Sequence, residues 1–205
     1  MFARTTTISG DPELTRAGID YLNGHLDAII GMDGCVGLSM MVDRDSGMSI
    51  ATTSWRSAEE MHDSMADMTP MRERLARTLG GEPLVEEWEV AMMHRDHVTA
   101  PGAWCRVTWL RTGHADIDRG VDIYTHGVLP QLEELPGFCS ASLMVNRDLG
   151  RACSTVSFDS AETMELSRDQ AWSIRAAGIR DASMDEIDVA ELELVMAHLR
   201  VPELT

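Results

Sequence analysis

Apolar residues recur along the chain at two spacings, and the same order of spacings occurs twice. Helical spacing of three or four residues is clearest in the second half, where it marks one apolar face: Ile117, Val121, Tyr124, Val128 and Leu132. Alternation of large and small residues, typical of a strand, is clearest in the first half: Val36, Leu38, Met40 and Val42. The chain therefore combines helices and strands in a repeated pattern.

The repetition is visible residue by residue. When the sequence is shifted by 103 positions, residues 2–61 pair with residues 105–164 without a gap, and 19 of the 60 pairs are identical. Sequence identity at a fixed offset indicates an internal duplication. We expect a first repeat over residues 1–97, a linker over 98–103 and a second repeat over 104–205.

Each repeat predicts the same six elements. In the first repeat we expect a strand near 2–9, a helix near 13–30 with Asp11 as N-cap and Pro12 at its first position, and a strand after Gly34. A hairpin turn at 43–47 then leads into an antiparallel strand near 48–56. Ser57 is the predicted N-cap of a second helix that carries Met61, Met65 and Met68 on one face, and a last strand follows near 85–94. The order β-α-β-β-α-β is ferredoxin-like, which predicts an α+β fold.

Composition excludes several functions. The chain has 205 residues and a formal net charge of −17, and all 17 of its basic residues are arginines. The absence of lysine excludes Schiff-base and P-loop chemistry. The acidic balance argues against nucleic acid as a partner, since that partner needs clustered positive charge. No apolar run has the length of a membrane span or a signal peptide, so we expect no membrane association and a cytoplasmic location.

The cysteines do not indicate a metal site. Cys35, Cys105, Cys139 and Cys153 form no C-x-x-C pair. Their scatter is typical of free, buried thiols in a reducing compartment, and zinc-type ligand spacing is missing. From the sequence we expect neither a metal nor a cofactor.

Two short motifs resemble the antibiotic-biosynthesis-monooxygenase (ABM-like) domains. The first is residues 55–61, WRSAEEM, repeated as residues 158–164, FDSAETM; the second is the Pro136-Gly137-Phe138 loop, matched by Gly34 in the first repeat. The resemblance implies the dimeric α+β barrel, here a pseudo-dimer built from the two repeats of one chain, which can pair again as a homodimer. It also implies cofactor-free oxygenation or haem degradation as activities of the family.

The residues that haem-degrading members use are not retained. Those enzymes carry an Asn on the first strand and a Trp and a His in the second helix. Neither first strand here contains Asn, and no His lies late in either second helix. The resemblance therefore does not extend to haem chemistry.

His25 is the candidate catalytic residue. It takes a helix position where the second repeat has Val128, so it should face the sheet and could accept a proton there. The alternative is a half-buried histidine satisfied by a hydrogen bond. Five residues are candidates for a ligand pocket beside it: Tyr21, Trp55, Met61, Met65 and Trp88. Methionines and aromatics at these spacings are also typical of an ordinary core, which is the alternative interpretation.

Two functional hypotheses follow. In the first, the chain binds a small apolar or aromatic molecule and acts as a cofactor-independent monooxygenase, with His25 as the base. In the second, it is a non-catalytic binding or assembly protein of the same fold. The exchanges of His25 for Val128 and of Met65 for Arg168 favour the first repeat as the one with the more open pocket.

Overall fold

The computed structural model describes residues 1–99, 102–112, 117–199 and Leu204. Two compact units are present, and their division falls within two strands. The first unit contains residues 1–88 and the strand segment that begins at Leu194, and the second contains residues 89–193 together with Leu204. The repeat boundaries at 97 and 104 stay a prediction from sequence.

The first unit follows the expected order of elements. Its strands and helices are β1 (Phe2–Ser9), α1 (Thr15–Gly24), α2 (Leu26–Ile30), β2 (Cys35–Val42), β3 (Met48–Trp55), α3 (Ala58–Asp63), α4 (Met65–Leu79) and the start of β4 (Pro83–Arg95). β3 pairs antiparallel with both β1 and β2. The predicted hairpin between β2 and β3 is confirmed, and its turn ends at Gly47, whose φ of +75° favours glycine.

The first long helix is interrupted, contrary to the single helix expected over 13–30. Asp11 caps its start as predicted, since its side chain accepts a hydrogen bond from the Glu13 N–H, and Pro12 opens a short 3-10 turn. At His25 the backbone leaves helical geometry, with φ −111° and ψ 2°, and its N–H reaches back only three residues, to Leu22. The helix therefore divides into α1 and α2 around His25.

The second unit repeats these elements with one variation. Its elements are β5 (Trp104–Arg111), α5 (Ile117–Ile123), a π-helical turn (Tyr124–Val128), α6 (Leu129–Leu132), β6 (Phe138–Asn146), β7 (Arg151–Phe158), α7 (Ala161–Leu166), α8 (Arg168–Ala182) and β8 (Asp185–Leu199). Pro130 follows the wide turn and has no N–H to offer the carbonyl of His126, so the regular helical ladder cannot pass through it.

The described strands form a closed sheet. β7 pairs with β5 and β6, β6 also pairs with β4, and β5 pairs with β8. The complete order is β1–β3–β2–β8–β5–β7–β6–β4, an antiparallel barrel. This confirms the expected fold class, two ferredoxin-like repeats that form an α+β barrel. Within the described ranges, no helix has both the length and the apolarity needed to cross a bilayer.

Strand register corrects the alignment of the two repeats at their first strands. Ala3 lies opposite Ser54 and Cys105 lies opposite Ser157. Because Ser54 and Ser157 are equivalent at the offset of 103, the first strands match at an offset of 102. Arg4 is thus the counterpart of Arg106, a relationship that the gapless alignment hides.

The paired arginines are buried and hold each repeat together. The Arg4 guanidinium is 2% exposed and donates to Glu87 Oε1 from Nε (2.9 Å) and Nη2 (2.7 Å). It also reaches the Ser64 hydroxyl at 3.2 Å and the Met61 carbonyl at 2.9 Å. One side chain of β1 therefore joins the last strand of its repeat to the second helix.

Arg106 makes the equivalent contacts in the second unit. It donates to Glu191 Oε1 at 3.0 and 2.8 Å and to the Met164 carbonyl at 3.4 Å. A buried guanidinium needs such partners, because an unpaired buried charge costs several kcal/mol.

The same arginines explain why the second helix of each repeat is broken. The Ser64 hydroxyl donates to the Met61 carbonyl at 2.7 Å, beside the Arg4 contact, so this oxygen is committed to side chains. α3 ends and α4 begins at Ser64. The predicted N-cap is confirmed, since the Ser57 hydroxyl accepts from the Glu60 N–H, but the single apolar face expected through Met65 is wrong, because Met65 is 45% exposed.

We predict that Glu191→Ala destabilises the protein by about 2–3 kcal/mol. This estimate lies between an exposed ion pair and a fully buried one, because Glu191 is 26% exposed and water partly replaces it. Urea unfolding at neutral pH measures the change, read at constant m-value. Glu134→Ala removes the same charge from an exposed loop and is the matched control. Equal stabilities of the two variants would contradict the role given to the Arg106 pair.

Candidate ligand-binding site

The larger cavity of the described residues lies in the second unit, between the helical layer and strands β5–β7. We call it the Tyr124 cavity. The centre of a water molecule can occupy about 70 Å³ of this cavity. Its apolar lining includes Leu110, Ile123, Val128, Leu132, Leu143, Val156, Phe158, Ile174 and Ile179.

Small residues on α8 create this space. Ala171, Gly178 and Ala182 line it, and the equivalent residues of α4 are Met68, Leu75 and Leu79. Each exchange removes several carbon atoms from the helix face that packs on the sheet. Gly178 also lets the two helices approach, since a Cβ there would lie 2.6 Å from Val128 Cγ2. The cavity is therefore a property of the α8 sequence.

A pair of hydroxyls supplies the polar centre of the cavity. The Tyr124 and Ser154 oxygens are 2.7 Å apart in a hydrogen bond. Burial raises the pKa of Tyr124 to about 12, because the phenolate would lose its hydration. The neutral pair can donate to or accept from one polar atom of a ligand. In the first repeat Ala51 replaces Ser154, so this pair has no counterpart there.

Two arginines lie at the edge of the Tyr124 cavity, and both have carboxylate partners. The Arg106 guanidinium stands 5.6 Å from the centre of the Phe158 ring and pairs with Glu191. Arg175 pairs with Glu186 at 2.9 Å. Because both charges are balanced, the lining favours a neutral ligand.

A smaller cavity of about 30 Å³ lies in the first unit, and we call it the His25 cavity. His25 Nδ1 lies 2.8 Å from the Tyr21 carbonyl. Since a carbonyl only accepts, Nδ1 carries the proton and the neutral ring keeps a lone pair on Nε2. The Tyr21 and His25 rings are in contact, with centroids 4.2 Å apart.

Arg72 also lines the His25 cavity, and part of its guanidinium group is buried there. Its buried Nε and Nη2 atoms have no hydrogen-bond partner among the described residues, and burial lowers its pKa. A buried donor without an acceptor is costly, so an oxygen atom of a ligand would be stabilised beside it. Only the first unit combines such a donor with a histidine in one described cavity.

The structure brings together two of the six predicted site residues, Tyr21 and His25. The others do not line either cavity. Trp55 is fully buried and donates to Thr53 Oγ1, and Trp88 is 2% exposed and donates to Thr5 Oγ1, each at 3.0 Å. Met61 is part of the core at 2% exposure, while Met65 faces solvent. In this structure, Trp55, Trp88 and Met61 therefore pack in the core.

The expectation that the first repeat has the more open pocket is wrong. Met68, Met71 and Leu75 fill most of the space in the first unit, so the larger cavity belongs to the second. Sequence reasoning compared only His25 with Val128 and Met65 with Arg168. A comparison along the whole second helix would have found the signal, because Met68/Ala171 and Leu75/Gly178 both change from large to small.

We predict that Tyr124 ionises near pH 12 in the folded protein. The variant Tyr21→Phe leaves it as the single tyrosine, so the near-ultraviolet phenolate absorbance reports it alone. Since its pKa is raised on folding, Tyr124 contributes stability fully below pH 10 and loses it as pH rises toward 12. In urea the midpoint should return to about 10. A folded-state midpoint at that same value would contradict the burial argument.

Comparisons with known proteins agree with the repeat and the barrel. No protein-family model matches the chain. Solved structures of similar fold include an anthrone oxidase-like protein (TM-score 0.75, 17% identity, 99% of this chain and 94% of that one). A ferredoxin-fold protein of Listeria monocytogenes related to antibiotic biosynthesis monooxygenases is also similar (TM-score 0.51, 12% identity, 94% and 95%). At these identities the likeness concerns the fold alone.

Two proteins of Mycobacterium tuberculosis are similar along the whole sequence. The uncharacterized protein Rv2557 is 49% identical over 205 residues, which is all of this chain and 92% of that protein. The uncharacterized protein Rv2558 is 44% identical over 206 residues, covering all of this chain and 87% of that protein. The fold of this chain is that of a tandem ABM-like barrel, and by sequence the chain belongs to the family of these two mycobacterial proteins.

Proposed function

We propose that this chain binds a small, neutral apolar or aromatic molecule in the Tyr124 cavity. The observation that carries the proposal is a largely apolar space whose lining includes the hydrogen-bonded hydroxyls of Tyr124 and Ser154. Ligand sites commonly combine an apolar lining with a few placed polar groups. The apolar walls bury the ligand body, and the hydroxyl pair orients one oxygen or nitrogen atom.

The size of the cavity suits one or two rings. A water molecule needs about 10–15 Å³ of such centre space, so about 70 Å³ corresponds to roughly five or six waters. At about 30 Å³ of liquid volume per water, this is on the order of 150–180 Å³. A bicyclic aromatic compound is of this order, whereas the His25 cavity has room for about two waters.

The Tyr124 cavity supports binding rather than acid–base catalysis. Its lining contains no histidine and no carboxylate, and Tyr124 stays protonated at neutral pH. A general base needs a lone pair and a pKa near the working pH. Nothing in the lining meets this requirement, which favours a non-catalytic role for this cavity.

A second candidate function rests on the His25 cavity. His25 donates from Nδ1 to the Tyr21 carbonyl, so its neutral form has a lone pair on Nε2, and Arg72 has N–H groups without a partner among the described residues in the same cavity. His25 could take a proton from an activated CH₂ group while Arg72 stabilises the resulting oxyanion. Reaction with O₂ would then convert the CH₂ to a ketone and release one water. This is cofactor-independent monooxygenation, and it would require the small cavity to open.

We predict that 2-naphthol binds the protein at one site and that Ala171→Met weakens it by more than tenfold. The new side chain is that of Met68 in the first repeat and would fill the cavity, so naphthalene should lose affinity equally. Ser173→Met adds the same side chain to the exposed face of α8 and is the matched control. Isothermal titration calorimetry measures each Kd. Ala171→Met affinities within twofold of the parent would refute the proposed site.

We predict a selective effect for Ser154→Ala, which installs the first-repeat residue Ala51. Loss of one hydrogen bond of about 0.5–1.5 kcal/mol should weaken 2-naphthol by roughly two- to tenfold. Naphthalene has no hydroxyl, so its affinity should not change. Equal losses for both compounds would mean that the hydroxyl pair does not orient the ligand.

The second candidate is tested with anthrone, chosen because of the anthrone oxidase-like structural neighbour. We predict oxygen consumption that is abolished by His25→Ala and unaffected by Ala171→Met. An oxygen electrode, with the ketone product identified by mass spectrometry, gives the measurement. Oxygen uptake that survives in His25→Ala would exclude this residue as the base.

A further inference from the structure

Three side chains with metal-binding atoms meet at one end of β6, outside both cavities. His97 Nε2 lies 3.0 Å from Asp159 Oδ1, and Cys139 Sγ lies 3.4 Å from the same oxygen. All three ligand atoms lie within 4.8 Å of one another. The thiol is buried, whereas His97 and Asp159 are exposed, so an ion could reach the group from solvent.

Backbone hydrogen bonds hold the three residues in place. The N–H groups of Asp96 and His97 both donate to the Cys139 carbonyl, at 2.9 and 3.4 Å. The Asp159 N–H donates to the Gly137 carbonyl at 2.8 Å. The segments that carry the three side chains are therefore fixed to each other without any ion. Ligands positioned in advance reduce the cost of ordering on binding.

Asp96 orients the histidine. Its carboxylate lies 2.8 Å from His97 Nδ1, and this contact turns Nε2 toward Asp159 and Cys139. A histidine that binds a metal through one nitrogen usually donates the other N–H to such a carboxylate, which fixes the ring and raises its basicity. Asp96 is therefore placed to orient His97 as a metal ligand.

We propose that His97 Nε2, Cys139 Sγ and Asp159 Oδ1 bind one Zn²⁺ ion, with water in the fourth position. Imidazole, thiolate and carboxylate all suit zinc, and a tetrahedral site places N and O about 3.4 Å apart and S and O about 3.6 Å apart. The observed N–O and S–O separations are 3.0 and 3.4 Å, each within a few tenths of an ångström of these values.

Zinc binding would form the metal–sulfur bond as the thiol proton leaves for solvent. Burial raises the pKa of Cys139 to about 12, so the thiol is protonated without an ion, and a bound metal removes this proton. Hydrogen bonds that the His97 ring donates to the carboxylates of Asp159 and Asp96 raise the pKa of His97.

The first repeat lacks this group. At the offset of 103, Val36 replaces Cys139 and Arg56 replaces Asp159. Neither replacement can bind zinc, so we expect no zinc site at the equivalent position of the first repeat. Its remaining cysteine of intermediate exposure, Cys35, has no histidine or carboxylate among its described hydrogen-bond partners and serves as a control.

The test is cobalt titration of the full chain after treatment with a chelator. We expect one Co²⁺ per chain with a near-ultraviolet thiolate-to-cobalt band, which Zn²⁺ displaces. Cys139→Ser should abolish this band, and Cys35→Ser should retain it. His97→Ala and Asp159→Asn change exposed side chains, so each should preserve the fold and weaken binding at least tenfold. Asp96→Asn should weaken it about tenfold, as outer-layer changes do.

Two results would overturn the proposal. One is the absence of a thiolate–cobalt band in the parent protein at saturating Co²⁺. The other is a band that persists in Cys139→Ser or that is unchanged in both His97→Ala and Asp159→Asn. Neither result bears on ligand binding in the Tyr124 cavity, because no residue of the proposed zinc site lines that cavity.

Discussion

The buried arginine of the first strand is the constraint on which each repeat depends. Arg4 and Arg106 carry a permanent charge into a region with 2–7% side-chain exposure, so each must be satisfied from several directions. A glutamate of the last strand meets it on one side, and the carbonyl of Met61 or Met164 meets it on the other. That second contact breaks the following helix at a serine. The same arginine thus contacts the last strand of its repeat and the break in the second helix.

On this shared frame the two repeats have diverged in the space between helix and sheet. α4 places Met68 and Leu75 where α8 places Ala171 and Gly178, and these larger side chains narrow the cavity of the first unit. The narrow cavity keeps a histidine and an arginine with unpaired donors, while the wide one keeps a neutral hydroxyl pair.

The sequence predicted the secondary-structure elements and their caps better than it predicted the residues that line a cavity. Asp11, Ser57 and the turn at Gly47 act locally, so their roles could be predicted from neighbours in the chain. Trp55 and Trp88 were candidates for the pocket because large aromatic residues suit ligands. Both instead bury their rings and satisfy their indole N–H groups on threonines of the sheet. Spacing along a strand gives the face of a residue, but it does not say whether that face meets a cavity or packed side chains.

By itself the sequence determined the duplication, the order of elements and the ABM-like motifs, because periodicity and caps depend on residues close together in the chain. Only the tertiary structure revealed that Arg4 matches Arg106, since a shift of one residue in strand register leaves no mark on a gapless alignment. It alone located the Tyr124 cavity and joined His97, Cys139 and Asp159. These groups come from segments tens of residues apart, and chain folding decides which of them meet.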